Sequence, residues 1–519
     1  MFARFQHRDK RGDDLPTSRG GIRPRNGSPL RRCRANRLAI CGVVCVVLFF
    51  VFFRPENGIP LSLPGSEEEV DPEITAYEEW IRQHPDVRLP PTYEEYWARE
   101  AKMTRPHEPG TKYFFPARHI WGLGWGNAVQ ELLVNALLAH ESNRSFVWDD
   151  YTWNYKPEVK WTIYNDKLIH SRMPLSVLLD GPVLGEEFPE GDYAPRAVPK
   201  NQFYEVCETL GGIHYINNDQ VKIELDLGNE YGALELFTRW VEKLKSIDAP
   251  CISNEGSKTH IFEMWLFGSR RIYDLWPLLR DSPIVQQYSS SPLVLLGLEA
   301  NKHLVGLPRT SSLAHLSAPI SYEPSRIPSS ALSTLKAEQF DVIPGLLVLH
   351  IRRGDFDDHC LHLAQWTAEW QGFNQLASEG MPDKFERPDA PWGKLTLGNA
   401  VLYAQRCFPE IPGIVERVKE IRREHTHLRR IYVMTNGKKD WIDELKKALK
   451  ADQEFKWDEV TGSRDLVLDW EQKYVAQSVD MAIGTRADVL LGNGWSSFTA
   501  HLVMLRMAKG HPTEKNRFW

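Results

Sequence analysis

Leu347-Val348-Leu349-His350-Ile351-Arg352-Arg353-Gly354-Asp355 holds more potential chemistry than any other stretch of the chain. An uninterrupted apolar run of this kind predicts a strand over 345–351, buried on both faces of a parallel sheet. It ends in two arginines, a glycine and an acid, and ligands of open α/β sheets sit at the carboxyl ends of the strands. Guanidinium groups bind oxyanions through paired N–H donors, so the segment predicts an anion, above all a phosphate, at this strand end. A solvated rim is the plain alternative. Arg353-Gly354-Asp355 also spells an adhesion tripeptide, but adhesion needs an exposed loop tip and this tripeptide leaves a buried strand.

Two further segments carry residues of the same kind. Gly122-Leu123-Gly124-Trp125-Gly126-Asn127 opens a helical pattern from Ala128 to His140, followed by a predicted strand Ser145–Trp148. A glycine-rich turn into a helix N-terminus either receives an anion or lets another backbone approach closely. Ser496, Ser497 and Phe498 stand at the start of a predicted helix 496–509, after a predicted strand 488–492. Hydroxyls and amides there suit phosphate oxygens, or the serines are ordinary caps. Glu131 lies four residues after Asn127, on the same helical face, and is the candidate base for deprotonating a hydroxyl. An acid in the first turn of a helix is also favoured by the dipole alone.

These residues need a framework to hold them. From 345 onward the pattern alternates: strand 345–351, helical patterns in 394–424, strand 429–435, helix 439–450, a short strand near 455–460, helix 471–486, strand 488–492 and helix 496–509. Such alternation predicts a parallel sheet with helices on both faces. Residues 112–307 read as one α/β domain and 345–519 as another. The Ser-, Pro- and Ala-rich stretch 308–344 reads as a linker between them. Trp366, Trp370, Phe373 and Trp392 fall in an insertion before Lys394, either as local core or as a platform for an acceptor.

The ends of the chain speak to location. Residues 1–37 carry eleven Lys/Arg and three Asp, a net +8, before the uncharged apolar run Leu38–Phe53. Sixteen helical residues span roughly 24 Å, close to the roughly 27 Å core of early secretory membranes. Arg54-Pro55-Glu56 offers no small-residue cleavage site. The run therefore reads as an uncleaved signal anchor, with the basic tail cytoplasmic and the rest luminal: a single-pass type II protein of the Golgi or endoplasmic reticulum. Residues 54–111 read as a stem with two short helices, started at Asp71-Pro72 and by a capping box Thr92-x-x-Glu95. Removing the tail's +8 from the formal −6 leaves about −14, which excludes a nucleic-acid footprint on the body. Beyond the membrane run stand four cysteines, Cys207, Cys251, Cys360 and Cys407, without the spacing of a zinc site. An oxidising lumen suits two disulfides. Of three pairings, Cys207–Cys251 with Cys360–Cys407 keeps each pair within one proposed domain. Asn143-Arg144-Ser145 is a glycosylation sequon beyond the run.

Taken in order, Gly124-Trp125-Gly126-Asn127, His350-Ile351-Arg352-Arg353-Gly354-Asp355 and Thr485-Arg486-Ala487-Asp488 through Gly492-Asn493-Gly494-Trp495-Ser496-Ser497-Phe498 resemble the GDP-fucose protein O-fucosyltransferase family, as a divergent member. That resemblance implies a GT-B-like architecture: two Rossmann-like domains facing across a cleft, with the nucleotide mainly on the C-terminal one. It implies an inverting glycosyltransferase that moves fucose from GDP-fucose to a hydroxyl of a protein or glycan acceptor, with no metal or other cofactor. By the same resemblance Arg352 holds the phosphate and Arg353 supports it, and Asp355 orients a guanidinium. His350 and Asp488 contact the nucleotide, the carboxylate accepting guanine N–H donors. Ser496, Ser497 and Phe498 receive the phosphates, while Gly126 and Asn127 face sugar or acceptor. Two other readings stay open: a metal-dependent glycosyltransferase using Asp355-Phe356-Asp357 or Asp149-Asp150, and a non-catalytic luminal protein that binds a GDP-sugar or glycan.

Overall fold

Two five-stranded parallel sheets carry the fold. The first is built from β1 (Tyr113–Phe115), β2 (Ser145–Trp148), β3 (Val198–Pro199), β4 (His214–Tyr215) and β5 (Cys251–Ser253), in the spatial order β3-β2-β1-β5-β4. The second is built from β6 (Ile343–His350), β7 (Arg430–Met434), β8 (Glu459–Gly462), β9 (Ala487–Gly492) and β10 (Asn516–Phe518), in the order β8-β7-β6-β9-β10. Every neighbouring pair in both sheets is parallel. The computed structural model describes residues 71–228 and 230–519, and residues 76–519 form one compact unit.

β6 is central because it is apolar on both faces. Leu346 and Val348 join a core shared with helix α1 (Trp125–Glu141) and with the helix after β9 (Ser497–Ala508), whereas Leu347, Leu349 and Ile351 join a second core with Ile414, Ile431 and Leu445. This alternation of side chains along a strand decides which residues reach a site at its end.

The expected elements are present with small shifts. The helix predicted over 471–486 is two, Trp470–Tyr474 and Ala476–Thr485, joined at Val475. The short strand falls at Glu459–Gly462, where Arg430 pairs with Glu459. The glycine-rich turn is one helical turn shorter than expected, since α1 already begins at Trp125. The capping box at Thr92 does not form. Its helix, Glu94–Glu100, starts after Tyr93, which sits at φ 55° and makes no side-chain cap. The aromatics before the first sheet do pack on the body. Tyr93 Oη donates to the Glu471 carbonyl at 2.7 Å, and Trp97 Nε1 to Asp150 Oδ1 at 2.9 Å.

The stretch 308–344 contains helix Ser329–Glu338 and packs Leu313, Ile320, Ile327 and Leu335 against Leu295 and Leu296. Both expected disulfides are present. Cys207–Cys251 ties helix Lys200–Thr209 to β5, and Cys360–Cys407 ties helix Phe356–Gln365 to helix Leu397–Cys407. Asn143 of the sequon is exposed. The basic tail, the run Leu38–Phe53 and residues 54–70 lie outside the described residues. Among those described, no helix is long and apolar enough to cross a membrane.

Candidate active site

Strand alternation separates the two adjacent arginines. Continued past the end of β6, it sends His350 and Arg352 to the face shared with α1, and Arg353 to the opposite face. Arg353 is buried there, its guanidinium held between the rings of Phe408 and Trp441, each 4.1 Å away, and donating to the Pro409 carbonyl. This corrects the expectation that it binds ligand: a cation clamped between two rings and a carbonyl is an internal strut. Arg352 keeps about a third of its side chain exposed (32%), and its Nη2 donates to Asp355 Oδ2 at 2.9 Å.

Asp355 does orient a guanidinium, as expected. Its other partners are Asn436 Nδ2, donating to Oδ1 at 3.2 Å, and Tyr164 Oη, donating to Oδ2 at 3.4 Å. Tyr164 comes from the antiparallel hairpin Trp161–Tyr164/Lys167–His170 of the N-terminal half. Burial, reinforced by the Asp355 carboxylate, raises its phenol above the usual range. Asn436 also binds both the amide and the carbonyl of Arg353, at 2.8 and 2.9 Å, which fixes the turn.

His350 is buried, with Nδ1 2.7 Å from Thr499 Oγ1 and its ring 4.6 Å from Phe498. Burial first, and the Arg352 charge second, push its pKa down to about 3, so it is neutral near pH 7. Thr499 lies in the first turn of helix α2 (Ser497–Ala508), and its Oγ1 also accepts the Asn493 amide at 3.2 Å. Ser496, at the N-cap, makes no side-chain capping bond. The capping alternative for these serines therefore does not hold, and the positive end of the α2 dipole has no side-chain cap.

Two helix N-termini meet here. A Cβ on Gly126 would lie 2.7 Å from the Phe498 nitrogen and 2.8 Å from the Ser497 carbonyl oxygen. Gln130 Nε2 bridges the two starts, donating to the carbonyls of Gly126 at 2.6 Å and Ser497 at 3.2 Å. Glycine at 126 is thus required by backbone approach. Asn127, half-buried, sits one residue further along the first turn of α1. The loop Gly492–Ser496 is braced by the insertion: Asn374 Nδ2 donates to the Gly494 carbonyl at 2.8 Å, and Trp495 Nε1 to the Ala368 carbonyl at 2.9 Å. Trp370 and Phe373 are buried core, which settles their part of the insertion as support, while Trp392 is 77% exposed.

Two predicted residues are elsewhere. Asp488 begins β9 rather than ending it, so it lies at the amino edge of the sheet, opposite Arg352. It accepts from the Gly345 amide at 2.9 Å, pairs with Lys515 at 3.1 Å and with His427 at 2.8 Å. Despite partial burial, these partners hold its carboxyl below the usual range. A base-reading role from that edge is excluded by position. Glu131 points into the interior, 1% exposed, with Oε2 accepting the Ile120 amide at 2.8 Å. Burial raises its pKa against the opposing pull of His260 and His119. It does not face the Arg352 site, which a base for an acceptor hydroxyl must do.

Sequence reasoning passed over Asp480. It is buried in helix Ala476–Thr485, bonded to Tyr432 Oη at 2.8 Å and Ser463 Oγ at 2.7 Å, just past the carboxyl end of β8. Burial outweighs those bonds and raises its pKa to about 7. Its only signal in sequence was an acid on an otherwise uncharged helix. Among the described residues no group of three or more His, Cys, Asp or Glu is placed to hold a metal ion.

The site is therefore a strand-end guanidinium beside an uncapped helix N-terminus, the arrangement of an anion-binding α/β protein. Residues 336–509, which contain this constellation except α1 and Tyr164, match the family described as GDP-fucose protein O-fucosyltransferase. The match covers about a third of the chain. The structure is also similar to POFUT1 in complex with GDP-fucose (15% identity, 80% of this chain and 99% of that chain, TM-score 0.44). A second similar structure is POFUT1 in complex with GDP (16% identity, 78% and 97%, TM-score 0.42). No curated protein matches the chain at a significant level.

Proposed function

We propose that this protein is an inverting, metal-independent glycosyltransferase that moves fucose from GDP-fucose to a hydroxyl of a protein or glycan acceptor, across a GT-B-like cleft between the two sheets. The observation that carries the reading is the pairing of Arg352 with the uncapped start of α2, inside the region that matches the family.

In the reaction the acceptor oxygen bonds to the anomeric carbon as the bond from that carbon to the β-phosphate oxygen breaks. The acceptor loses its proton, and negative charge accumulates on the departing GDP. Fixed donors aimed at that charge lower the barrier most. Arg352, oriented by Asp355, is the movable cation among them. The hydroxyls of Ser496 and Ser497 and the amides of Ser497 and Phe498 supply donors at the helix start, the Ser496 amide being held by the Asn493 carbonyl. Neutral His350 forms an uncharged wall behind them and does not compete with Arg352 for the phosphate. Asp355 supports metal independence, because its oxygens already engage Arg352, Asn436 and Tyr164. The basic tail, the run Leu38–Phe53 and two disulfides support a type II luminal enzyme of the Golgi or endoplasmic reticulum.

The test is turnover of GDP-fucose by the full chain, wild type against Arg352→Ala, with and without chelator. Turnover that resists chelator and falls in the variant supports the reading. Sensitivity to chelator points instead to the acidic motif at Asp355, and binding without turnover to a non-catalytic GDP-sugar protein.

A further inference from the structure

A cavity of about 260 Å³ lies over the first sheet. Its walls come from the loops after β1 (Arg118, Trp121), β2 (Asp149) and β5 (Glu255), all at carboxyl ends of strands. From β1 the chain moves through β2 to β3 on one side, then crosses to β4 and returns to β5 on the other. The cavity thus opens at the point where strand order reverses, the usual ligand position of an open α/β sheet.

Its chemistry is that of polyol recognition. Trp121 and Tyr155 make an edge-to-face pair with centroids 4.9 Å apart, and Tyr155 is 59% exposed, offering an aromatic platform. Around it stand donors (Arg118, Arg172, Lys200) and one acceptor with room to engage, Glu255. Asp149 is already taken by Lys200 and lies 3.9 Å from His119. That leaves three Arg/Lys cations facing two carboxylates. Arg118 Nε is buried without a hydrogen-bond partner among the described residues, while its Nη2 donates to the Lys258 carbonyl at 2.9 Å. Arg118 itself is half-buried, and an unmade bond on a buried N–H is costly, so this Nε is a place for a ligand oxygen.

Packed side chains link the cavity to the Arg352 site. Thr152 lines the cavity, and the next residue, Trp153, packs at 4.8 Å on Tyr164, whose hydroxyl reaches Asp355. We propose that this cavity binds a sugar ring of a glycan acceptor, one that carries a carboxylate. The assignment rests on the glycosyl-transfer reading for its purpose but not for its binding chemistry. The ring stacks on Tyr155, its hydroxyls alternate between Glu255 and the basic groups, and its carboxylate meets Arg118 and Arg172. An extended peptide would instead want a free strand edge or an apolar groove, and these walls are polar.

The test uses the full chain and three probes: methyl glucuronide, its neutral counterpart methyl glucoside, and an octaglutamate peptide. Saturation-transfer NMR reads binding to wild type, Tyr155→Ala and Arg172→Gln, with GDP titrated into each. The expected result is a glucuronide signal at least threefold above glucoside in wild type and at least fivefold weaker in Tyr155→Ala. Arg172→Gln should remove the preference for the acid, and all three proteins should bind GDP alike and melt cooperatively. Equal glucuronide signals in wild type and Tyr155→Ala overturn the proposal, as does displacement of glucuronide by the peptide, which would assign the cavity to a protein acceptor. If GDP fails to bind wild type while glucuronide still does, the transferase reading falls and the cavity assignment stands.

Discussion

At the carboxyl edge of the second sheet, charge is left open; at that of the first, it is mostly compensated. Arg352 has one carboxylate partner and a third of its side chain in solvent, beside a helix start without a side-chain cap. Across the molecule, Asp149 and Asp150 share Lys200, His119 approaches Asp149, and Trp97 caps Asp150. On the proposed function, the contrast is that of one chain prepared for two substrates. A diphosphate brings its own charge and needs donors that are free to receive it. A sugar acid brings hydroxyls and one carboxylate, and suits a wall where most charges are paired and one cation is in excess.

The comparison breaks most severely if the two halves lose their close contact. Gly126→Ala places a methyl group against the backbone of Ser497 and Phe498, within 2.7–2.8 Å. We expect a loss of roughly 1–3 kcal/mol in stability together with loss of GDP binding, read by thermal melting and titration. Arg352→Ala should lower kcat/KM for GDP-fucose roughly 10²–10³-fold with an unchanged melting temperature, since Arg352 is not a packing element. Arg353→Lys tests the other arginine. It should cost about 1–2 kcal/mol of stability through the lost stacking on Phe408 and Trp441 while the folded fraction binds GDP as wild type does.

Acid and base responses sharpen the contrast further. His350 has a folded pKa of about 3, below its unfolded value, so the unfolded chain binds the proton first and stability falls as pH drops from roughly 6.5 towards 3. Asp480 has the opposite sign: with a folded value of about 7, its contribution is complete below roughly pH 4 and is lost as pH rises through 7. Asp480→Asn should therefore flatten the stability profile between about pH 4 and 7, measured by denaturant titration. The smallest effect belongs to Asp488→Asn, which should leave GDP affinity within about threefold of wild type, because it sits at the wrong edge of the sheet.

Much of this was legible in sequence, and the failures have physical reasons. The alternation of apolar runs located β6, β7 and β9 and the helices from 397 onward within a few residues, but not the helices Phe356–Gln365 and Gly372–Ser378. It also held the key to the arginines: counting alternate residues along 346–353 separates Arg352 from Arg353, and only the packing of Phe408 and Trp441 makes the consequence visible. Asp488 was misplaced although its direction was readable, since an acid at the start of a strand cannot stand at its carboxyl end. Glu131 shared a helical face with Asn127 but lies one turn deeper, and one turn is enough to take a side chain from cleft to core. The cavity beside Trp121 could not be read at all, because its walls come from loops spread between 117 and 257 that only the sheet topology gathers.

The central claim is that the carboxyl edge of the second sheet holds the diphosphate of a guanine nucleotide through Arg352. Calorimetric titration of GDP, UDP and ADP into wild type and Arg352→Ala tests it most directly. The account predicts that GDP binds wild type in preference to UDP and ADP, and binds the variant at least tenfold more weakly. Equal GDP affinity in the two proteins, or no preference for GDP, would contradict it.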